Sequence, residues 1–322
     1  MSTVPRYLFI PPYVEEKIPV YPLSKPDWEK EIVDATEILK THLATTQLFI
    51  NEIFSVNLDV PCSIVPNESN ACWDGKRLSI GIVGLRGGSE HPLRLSDYME
   101  VIARQIAHVF LDTINVHLPY YGPSGAILVS SADIFATMAK AWSANKQNLR
   151  ISYGSLWTIG TDIAHKLPPR VGIPQEGFPR FFFSDPPLYR KYPYESDKGK
   201  IHTNATILDH IFFQMCTEAG LPIIKAGTIW FRALQEIRRQ QKSYTFINLS
   251  CMVIELIKNE GNTQLTNKVQ SIWNTVIHQT FGTKEPQKAP YSQSHRSQPH
   301  EPDKRPGAGL QIDLSLTVTG NL

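Results

Sequence analysis

The stretch from residue 97 to residue 115 constrains the fold most, because its apolar residues fall on nearly every side of a helix. Neighbouring apolar positions lie three or four residues apart, the spacing of one helical turn: Tyr98, Met99, Ile102, Ile106, Val109, Phe110 and Ile114. A helix that is apolar on most sides is buried. The pattern therefore predicts a buried helix, and a chain of 322 residues with 42% apolar content is long enough to enclose it.

Three polar residues interrupt the apolar pattern of this helix, and two of them have the four-residue spacing at which a helix can present two metal ligands. Arg104 and His108 lie four residues apart and project from the same helical face, with Gln105 next to Arg104. A zinc peptidase presents His-Glu-x-x-His on such a helix, with two imidazole ligands and a glutamate that activates water. The residues at positions 104 and 105 therefore decide what chemistry this face can support.

Mixed helix and strand patterns precede the buried helix. Residues 1–27 contain several prolines and are expected to run extended over the surface. From residue 28 to 54, apolar residues recur at helical spacing without glycine or proline, which predicts a long amphipathic helix. Residues 57–84 are strand-like, and the Asp74-Gly75 pair between two apolar runs is typical of a hairpin turn.

The second half of the chain is predicted to be helical. Apolar periodicity predicts helices at 124–142, 204–219, 222–241, 246–259 and 264–280, with a loop rich in proline and aromatic residues at 168–193. Residues 282–309 have almost no apolar side chains, a composition that favours disorder. Residues 310–319 alternate between apolar and polar, a pattern that fits either a strand that adds to this chain or to a partner, or a disordered end.

Charge and targeting signals exclude several classes of partner. A balance of 32 basic and 30 acidic residues, a net charge of +2, does not predict binding to nucleic acid or to an acidic membrane. No stretch reaches the roughly 18 apolar residues that a membrane span needs, and the N-terminus lacks the apolar core of a secretory signal. The four cysteines lack CxxC spacing and predict free thiols. We therefore expect a cytoplasmic protein.

Five motifs occur in the order in which one known family carries them. They are Asn70-Ala71-Cys72-Trp73-Asp74-Gly75, Tyr120-Tyr121-Gly122-Pro123-Ser124-Gly125-Ala126, Ala132-Asp133-Ile134-Phe135, Asp197-Lys198-Gly199-Lys200-Ile201-His202-Thr203-Asn204 and Trp230-Phe231-Arg232-Ala233-Leu234. Together they resemble the thermolysin family of zinc endopeptidases over residues 28–282. Ile10-Pro11-Pro12-Tyr13 also resembles the short propeptide motif of protealysin-like members.

The resemblance implies an α+β fold of two lobes. An N-terminal α+β lobe would span residues 28–115 and end in the buried helix, and a mainly helical lobe would span 116–282. The cleft between the lobes would be floored by that helix. Residues 1–27 would form an extended, propeptide-like segment, and residues 283–322 a tail with a possible terminal strand.

The resemblance also implies a catalytic zinc, whose three ligand positions here hold Arg104, His108 and Val129. A guanidinium stays protonated and valine has no donor atom, so only His108 can bind a metal. Gln105 stands at the position of the glutamate that takes a proton from metal-bound water, and a neutral carboxamide cannot act as that base. We therefore expect no bound zinc, no other cofactor and no zinc-dependent proteolysis.

Arg104 has two possible roles. Its guanidinium can form a buried ion pair with Asp133, the position that in family members orients the first histidine. Alternatively, it can bind an anion or the carboxylate of a ligand in the cleft.

A structural calcium site is implied by the same resemblance. Its carboxylate positions here hold Lys140, Thr158 and Thr161, and Glu100 is the acidic residue that is kept. Because a lysine would place a positive charge where the ion would sit, calcium is not expected to stabilise this chain.

Several catalytic positions keep the residue types of the family. His202 and Asp197 match the pair that stabilises the tetrahedral oxyanion, with the carboxylate holding the imidazole tautomer, and Tyr120 matches the second oxyanion donor. His108 is the remaining imidazole of the buried helix. These four residues are the candidates for any chemistry other than peptide hydrolysis.

Substrate-binding positions are retained in part. Asn70 and Ala71 match the edge-strand groups that bind a peptide backbone by strand addition. Arg180 lies one residue from the family spacing of the arginine that clamps the substrate. Arg104 joins this set if it binds a ligand carboxylate.

Three functional hypotheses follow. The first is a pseudopeptidase that binds a peptide segment or small molecule in the cleft. The second is a metal-free enzyme in which Tyr120, His202 and His108 perform acid-base or oxyanion chemistry on a small molecule, such as a biosynthetic intermediate. The third is a docking platform whose tail engages a protein partner.

Overall fold

The buried helix predicted at residues 97–115 is present as α2 (Met99–Thr113), which follows a single 3-10 turn at Leu95–Asp97. The computed structural model describes residues 25–66, 71–83, 93–160, 180–182, 197–281 and 312–314. Every residue of α2 from 101 to 111 is buried. A second helix, α3 (Gly122–Lys146), packs along α2 and is buried almost as completely. Two such helices need cover on all their outer faces, and the other elements supply it.

A small sheet packs against α2. It contains β1 (Cys62–Pro66), β2 (Ala71–Trp73), β3 (Leu78–Val83) and β4 (Leu93–Arg94). β3 is parallel to β1 and antiparallel to β2 and β4. The predicted hairpin turn joins β2 to β3: the Asp74 carboxylate accepts hydrogen bonds from the backbone N–H groups of Lys76 and Arg77. Gly75 adopts a φ of 93°, which glycine tolerates without steric cost.

The first helix, α1 (Lys25–Phe54), is continuous and packs against α2 and β1. Its buried residues recur every three or four positions and form one stripe: Ile32, Ala35, Leu39, Leu43, Thr46, Phe49 and Ile50. Near its end, the Glu52 carboxylate accepts a hydrogen bond from Trp142 Nε1 at 3.1 Å and pairs with Lys146 Nζ at 2.8 Å. These two contacts connect α1 to the far end of α3.

Helices dominate the second half, as predicted. They are α4 (Tyr153–Leu156), α5 (Asp197–Thr217), α6 (Ile223–Arg239), α7 (Phe246–Lys258) and α8 (Thr263–Phe281). Two short strands, β5 (Thr158–Ile159) and β6 (Arg180–Phe181), pair antiparallel, so part of the predicted 168–193 loop is a strand.

The predicted start of α5 at residue 204 was wrong. The helix begins seven residues earlier, in a stretch where Gly199 and two lysines interrupt the apolar periodicity.

Five phenylalanines join the two halves into one core. Phe49 and Phe54 come from α1, Phe110 from α2, Phe135 from α3 and Phe231 from α6. The ring centroids of Phe54 and Phe110 are 4.6 Å apart, and those of Phe110 and Phe135 are 5.4 Å apart. Tilted and edge-to-face contacts of this kind are favourable for aromatic rings. The architecture is the α+β fold with a helical second lobe that the sequence motifs implied.

The alternating segment near the end of the sequence contributes β7 (Ile312–Leu314). It pairs antiparallel with β1, with Ile312 opposite Ile64 and Leu314 opposite Cys62, and so lies at the edge of the sheet away from β2. The predicted strand thus adds to its own chain. Residues 1–24 of the segment predicted to be extended, and the linker predicted at 282–309, lie outside the described residues. The prediction was wrong for residues 25–27, which form the first turn of α1, a position where Pro26 is tolerated because it needs no backbone hydrogen bond. Within the described ranges, no helix is long and apolar enough to cross a membrane.

Candidate functional site

A buried ion pair joins α2 to α3 at the centre of the molecule. Arg104 Nε lies 2.5 Å from Asp133 Oδ1, and the two side chains are 1% and 0% exposed. The contact arises because both residues lie on the facing sides of two helices that pack along each other. The first of the two predicted roles of Arg104, pairing with Asp133, is confirmed.

The residues around this ion pair are poor metal ligands. Val129 lies one turn before Asp133 on the same face of α3 and is buried. His108 lies one turn after Arg104 on α2 and is also buried. Among the residues that the structure describes, no group of three or more His, Cys, Asp and Glu side chains is arranged to hold a metal ion. The donor set of Arg104, His108 and Val129 does not fit a catalytic zinc, because it offers a single lone pair.

Gln105 has an unusual environment. Its side chain is fully buried, and neither its Oε1 nor its Nε2 atom has a hydrogen-bond partner among the described residues. Most buried polar groups in proteins are hydrogen-bonded, and an exception calls for a physical explanation. The sequence motif placed Gln105 at the site but gave no sign that its carboxamide would be left unpaired.

A second polar pair lies between the start of α3 and α5. The Tyr120 hydroxyl lies 3.4 Å from His202 Nε2, so the two predicted oxyanion donors are brought together. Tyr120 is held by the turn before α3, where the Ser124 hydroxyl donates to the carbonyls of Pro119 and Tyr121 at 3.0 and 2.8 Å. Gly122, with a φ of 54°, allows the chain to enter α3 directly after this turn.

Two backbone features place His202. Gly125 lets α5 approach α3 closely, because a Cβ atom at this position would lie 2.7 Å from Ile201 Cγ2. Lys200 has a φ of 59°, the left-handed region that non-glycine residues rarely adopt. The family motif has glycine at the position of Lys200. Sequence reasoning did not predict the strained backbone two residues before His202.

Strand β2 is attached to α2 near the C-terminal end of the helix. Trp73 Nε1 donates a hydrogen bond to Asp112 Oδ2 at 3.3 Å, and the other carboxylate oxygen of Asp112 lies 3.2 Å from His117 Nδ1. Ala71 is buried in β2. Sequence reasoning missed Asp112, although it lies four residues after His108 and therefore on the same side of α2.

Three predicted site residues cannot be placed in full. Asn70 lies outside the described residues. Asp197 is the first residue of α5 and Arg180 the first of β6, but the side chains of both lie outside what the structure describes. Their predicted roles stay predictions.

Lys140 connects α3 to the segment around α4 and β5. Its Nζ atom donates hydrogen bonds to the backbone carbonyls of Ser155 and Thr158, both at 3.0 Å. The ammonium group of Lys140 therefore binds carbonyl oxygens beside Thr158. Thr158 is one of the positions at which the sequence resemblance implied calcium ligands. Thr161, another of those positions, lies outside the described residues.

Comparisons with known proteins agree with this architecture. The chain is 22% identical to Protease PrtS of Photorhabdus sp. (strain Az29) over 190 residues, which cover 55% of this chain and 50% of PrtS. It is 25% identical to Bacillolysin of Bacillus cereus over 194 residues, which cover 56% of this chain and 31% of that protein. The chain therefore spans half the length of PrtS, and less of bacillolysin.

A solved structure supports the fold. The precursor of protealysin, a metalloproteinase from Serratia proteamaculans, superimposes with a TM-score of 0.58 at 20% identity, over 75% of this chain and 78% of that one. The profile of the thermolysin metallopeptidase α-helical domain matches residues 116–277, half of this chain, and includes Tyr120, Asp133 and His202. By this match, the chain belongs to the thermolysin family of metallopeptidases.

Proposed function

We propose that this protein is a pseudopeptidase, which lacks zinc-dependent proteolysis and binds a peptide or small ligand in the cleft between its lobes. The observation that carries the proposal is the buried ion pair between Arg104 and Asp133. Arg104 stands at the position of the first zinc-binding histidine, and Asp133 at the position that would orient it. Here the carboxylate instead neutralises a fixed cation.

Two further substitutions support the loss of hydrolysis independently. Val129 puts an alkyl side chain at the third ligand position. Gln105 puts a neutral carboxamide at the position of the general base, and a carboxamide cannot take a proton from water at physiological pH. Each change removes a different requirement of the reaction, so reverting one of them would not restore it.

Retained groups support ligand binding in the same region. The Tyr120 and His202 pair offers two hydrogen-bonding groups at the start of α3 and α5. Among the strands that the structure describes, β2 is the outer one on its side of the sheet, and it is attached to α2 through Trp73 and Asp112. An edge strand beside a helix is a geometry that binds extended peptides by strand addition.

Metal content and hydrolysis test the proposal together. We expect purified protein to contain far less than one zinc per chain and to leave casein intact, with or without a chelator. The triple variant Arg104→His, Gln105→Glu, Val129→Glu restores the ligand set and the base, and should gain stoichiometric zinc. Stoichiometric zinc in the unmodified protein, with hydrolysis abolished by a chelator, would contradict the proposal.

A metal-free enzyme is the second candidate, favoured by the 3.4 Å contact between Tyr120 and His202. A phenol next to an imidazole can transfer protons or stabilise an oxyanion without a metal. The buried cysteines are poor nucleophiles, because burial raises the pKa of Cys62 to about 12 and also raises the pKa of Cys216. Turnover of a small-molecule substrate that His202→Ala abolishes, while folding is kept, would favour this candidate over a binding protein.

A further inference from the structure

We propose that a pocket between the ends of α1 and α2 and one face of α6 binds a short carboxylate with a branched alkyl group. The alkyl group lies against three phenylalanine rings, and the carboxylate pairs with Arg232. This site goes beyond the proposed function, because it takes a ligand of its own and lies away from the contact between Arg104 and Asp133.

The size of the pocket limits what can enter it. Its volume is about 90 Å³, and one side is open to solvent. An apolar cavity of about 150 Å³ holds a benzene molecule, so this smaller pocket suits a branched alkyl group of roughly four carbons. The polar end of such a ligand then lies at the open side.

The innermost lining of the pocket is aromatic. Phe110 and Phe231 are each 1% exposed, and their ring centroids are 5.4 Å apart. The ring of Phe54 lies 4.6 Å from that of Phe110 and 5.7 Å from that of Phe231. Because these rings hold one another in tilted and edge-to-face contacts, they present a preformed apolar surface. An alkyl group that packs against them leaves water, which favours binding.

Arg232 is the member of the motif at residues 230–234 that packing does not explain. The other four members are buried, and Trp230 Nε1 donates a hydrogen bond to the Ser131 hydroxyl at 3.0 Å. Arg232 is instead exposed and lines the pocket. Its guanidinium carries a permanent charge and matches the geometry of a carboxylate.

Carboxylates near the pocket are engaged elsewhere. Glu236, one turn after Arg232 on α6, pairs with Arg239 at 2.7 Å. Asp112, near the end of α2, accepts a hydrogen bond from Trp73. Within the ranges that the structure describes, Arg232 has no ion-pair partner. The charge at the mouth of the pocket is therefore available to an anion.

The remaining polar residues of the lining are neutral. Thr228, Arg232 and Gln235 lie three or four residues apart and share one face of α6. The Thr228 hydroxyl already donates to the Ile224 carbonyl at 2.8 Å. The Gln235 carboxamide can donate an N–H to a carboxylate that Arg232 holds. A cation with a neutral donor beside it selects an anion over an ammonium group.

The pocket is separate from the two polar contacts described above. Phe110 follows His108 by two residues, which places it about 200° further around α2. Tyr120 and His202 are not among the lining residues. Binding in this pocket can therefore be followed without disturbing either contact.

The test uses three probes and the full chain, labelled with ¹⁵N for NMR titration. 3-Methylbutanoate carries both groups of the proposed ligand, 3-methylbutanamide keeps its shape without the charge, and acetate keeps the charge without the branched alkyl group. We expect 3-methylbutanoate to bind with a dissociation constant on the order of 1 mM and to shift the amide signals of Ile114 and Thr228. The amide should bind about fivefold more weakly, the upper range for an ion pair open to solvent, and acetate should not saturate.

Two variants assign the binding to this pocket. Arg232→Gln removes the charge from an exposed position and should abolish the preference for acid over amide. Its matched control is Arg238→Gln, which alters another exposed arginine of α6 outside the lining and should leave the preference intact. Ile114→Phe adds a ring beside the pocket and should weaken the binding of both probes.

Several results would overturn the proposal. They are equal affinity for acid and amide in the unmodified protein, an unchanged preference in Arg232→Gln, and no saturation by 3-methylbutanoate below about 20 mM. Signal changes centred on Tyr120 and His202 would likewise place the acid elsewhere. The proposed function is judged separately, by zinc content and casein hydrolysis, so the two can fail independently.

Discussion

Arg104 lies on α2 and His202 on α5, and both helices pack against α3, but the surroundings of the two residues differ. Around Arg104, a buried ion pair with Asp133 occupies the contact between helices, and under the proposed function this pair stands in place of a metal site. Around His202, the tyrosine partner and the close approach of α5 are kept. Metal chemistry and the geometry of the oxyanion pair can therefore change separately on one scaffold.

Under the proposed function, the interface between α2 and α3 accepts an ion pair at the position of a metal ligand because the two charges balance each other inside the interface. Five variants or conditions probe these two contacts and their surroundings.

Removing the partner of Arg104 should have the largest effect. Asp133→Ala leaves a buried guanidinium without its carboxylate, and we expect a loss of about 3–5 kcal/mol in the free energy of unfolding, measured by urea denaturation. The double variant Arg104→Met, Asp133→Leu removes both charges and should recover most of that loss. A loss below about 1 kcal/mol in Asp133→Ala would mean that the pair is dispensable.

Separating α5 from α3 tests the retained contact. In Gly125→Ala, the new methyl group would meet Ile201 at 2.7 Å, so α5 must shift and the free energy of unfolding should fall by about 1–3 kcal/mol. The NMR signals of the His202 ring should move as its contact with Tyr120 lengthens. Gly154→Ala is the control, because its Cβ would meet nothing within 4 Å.

Lys140 extends the comparison to a third place on α3. Lys140→Met removes two charge-assisted hydrogen bonds to the carbonyls of Ser155 and Thr158, and we expect a loss of about 1.5 kcal/mol. Lys146→Met, which breaks a half-exposed pair with Glu52, should cost about 0.5 kcal/mol or less. A melting temperature of the unmodified protein that rises with added calcium would contradict the role given to Lys140.

Relieving the backbone strain at Lys200, two residues before His202, should stabilise the protein. Lys200→Gly places glycine at a φ of 59°, and the free energy of unfolding should rise by about 1 kcal/mol. The control Lys258→Gly, at the end of α7, should lower it by a similar amount, because glycine in a helix is unfavourable. Equal signs for the two variants would exclude strain at Lys200.

The smallest effect concerns pH and lies outside both contacts. Burial lowers the pKa of His42 on α1, and this outweighs the opposing influence of the Asp97 carbonyl and of the Asp97 and Glu100 carboxylates. The folded state then binds protons less readily than the unfolded state. Stability should fall as pH drops below about 6.5, the ordinary histidine value, and this fall should be weaker in His42→Gln. An unchanged pH dependence in that variant would assign the effect elsewhere.

Much of the fold could be predicted from local patterns. The apolar spacing around Ile102 and Ile106 located α2, and the Asp74-Gly75 pair located the hairpin, because both depend on residues close together in sequence. The ion pair of Arg104 with Asp133 could be predicted because opposite charges occupy positions that face each other in the resembled fold.

Other features depend on residues that meet only in three dimensions. The start of α5 was missed because Gly199 and two lysines interrupt the apolar periodicity before residue 204, so the first turn is fixed by its packing and not by its own pattern. The unpaired carboxamide of Gln105 could not be predicted, since whether a buried group finds a partner depends on every element that packs around it. The close contact between Gly125 and Ile201 depends in the same way on how α3 and α5 pack.

The pairing of β7 with β1 has a consequence for how the protein is made. The outer edge of β1 is covered by β7, in which Leu314 lies opposite Cys62. Because β7 comes much later in the sequence, β1, β2 and β3 leave the ribosome long before β7 is synthesised. During that interval, β1 presents open backbone groups on which a neighbouring nascent chain could pair. Growing chains on one polysome therefore face an association hazard that the finished protein does not, and chaperones that shield strand edges would act in that interval.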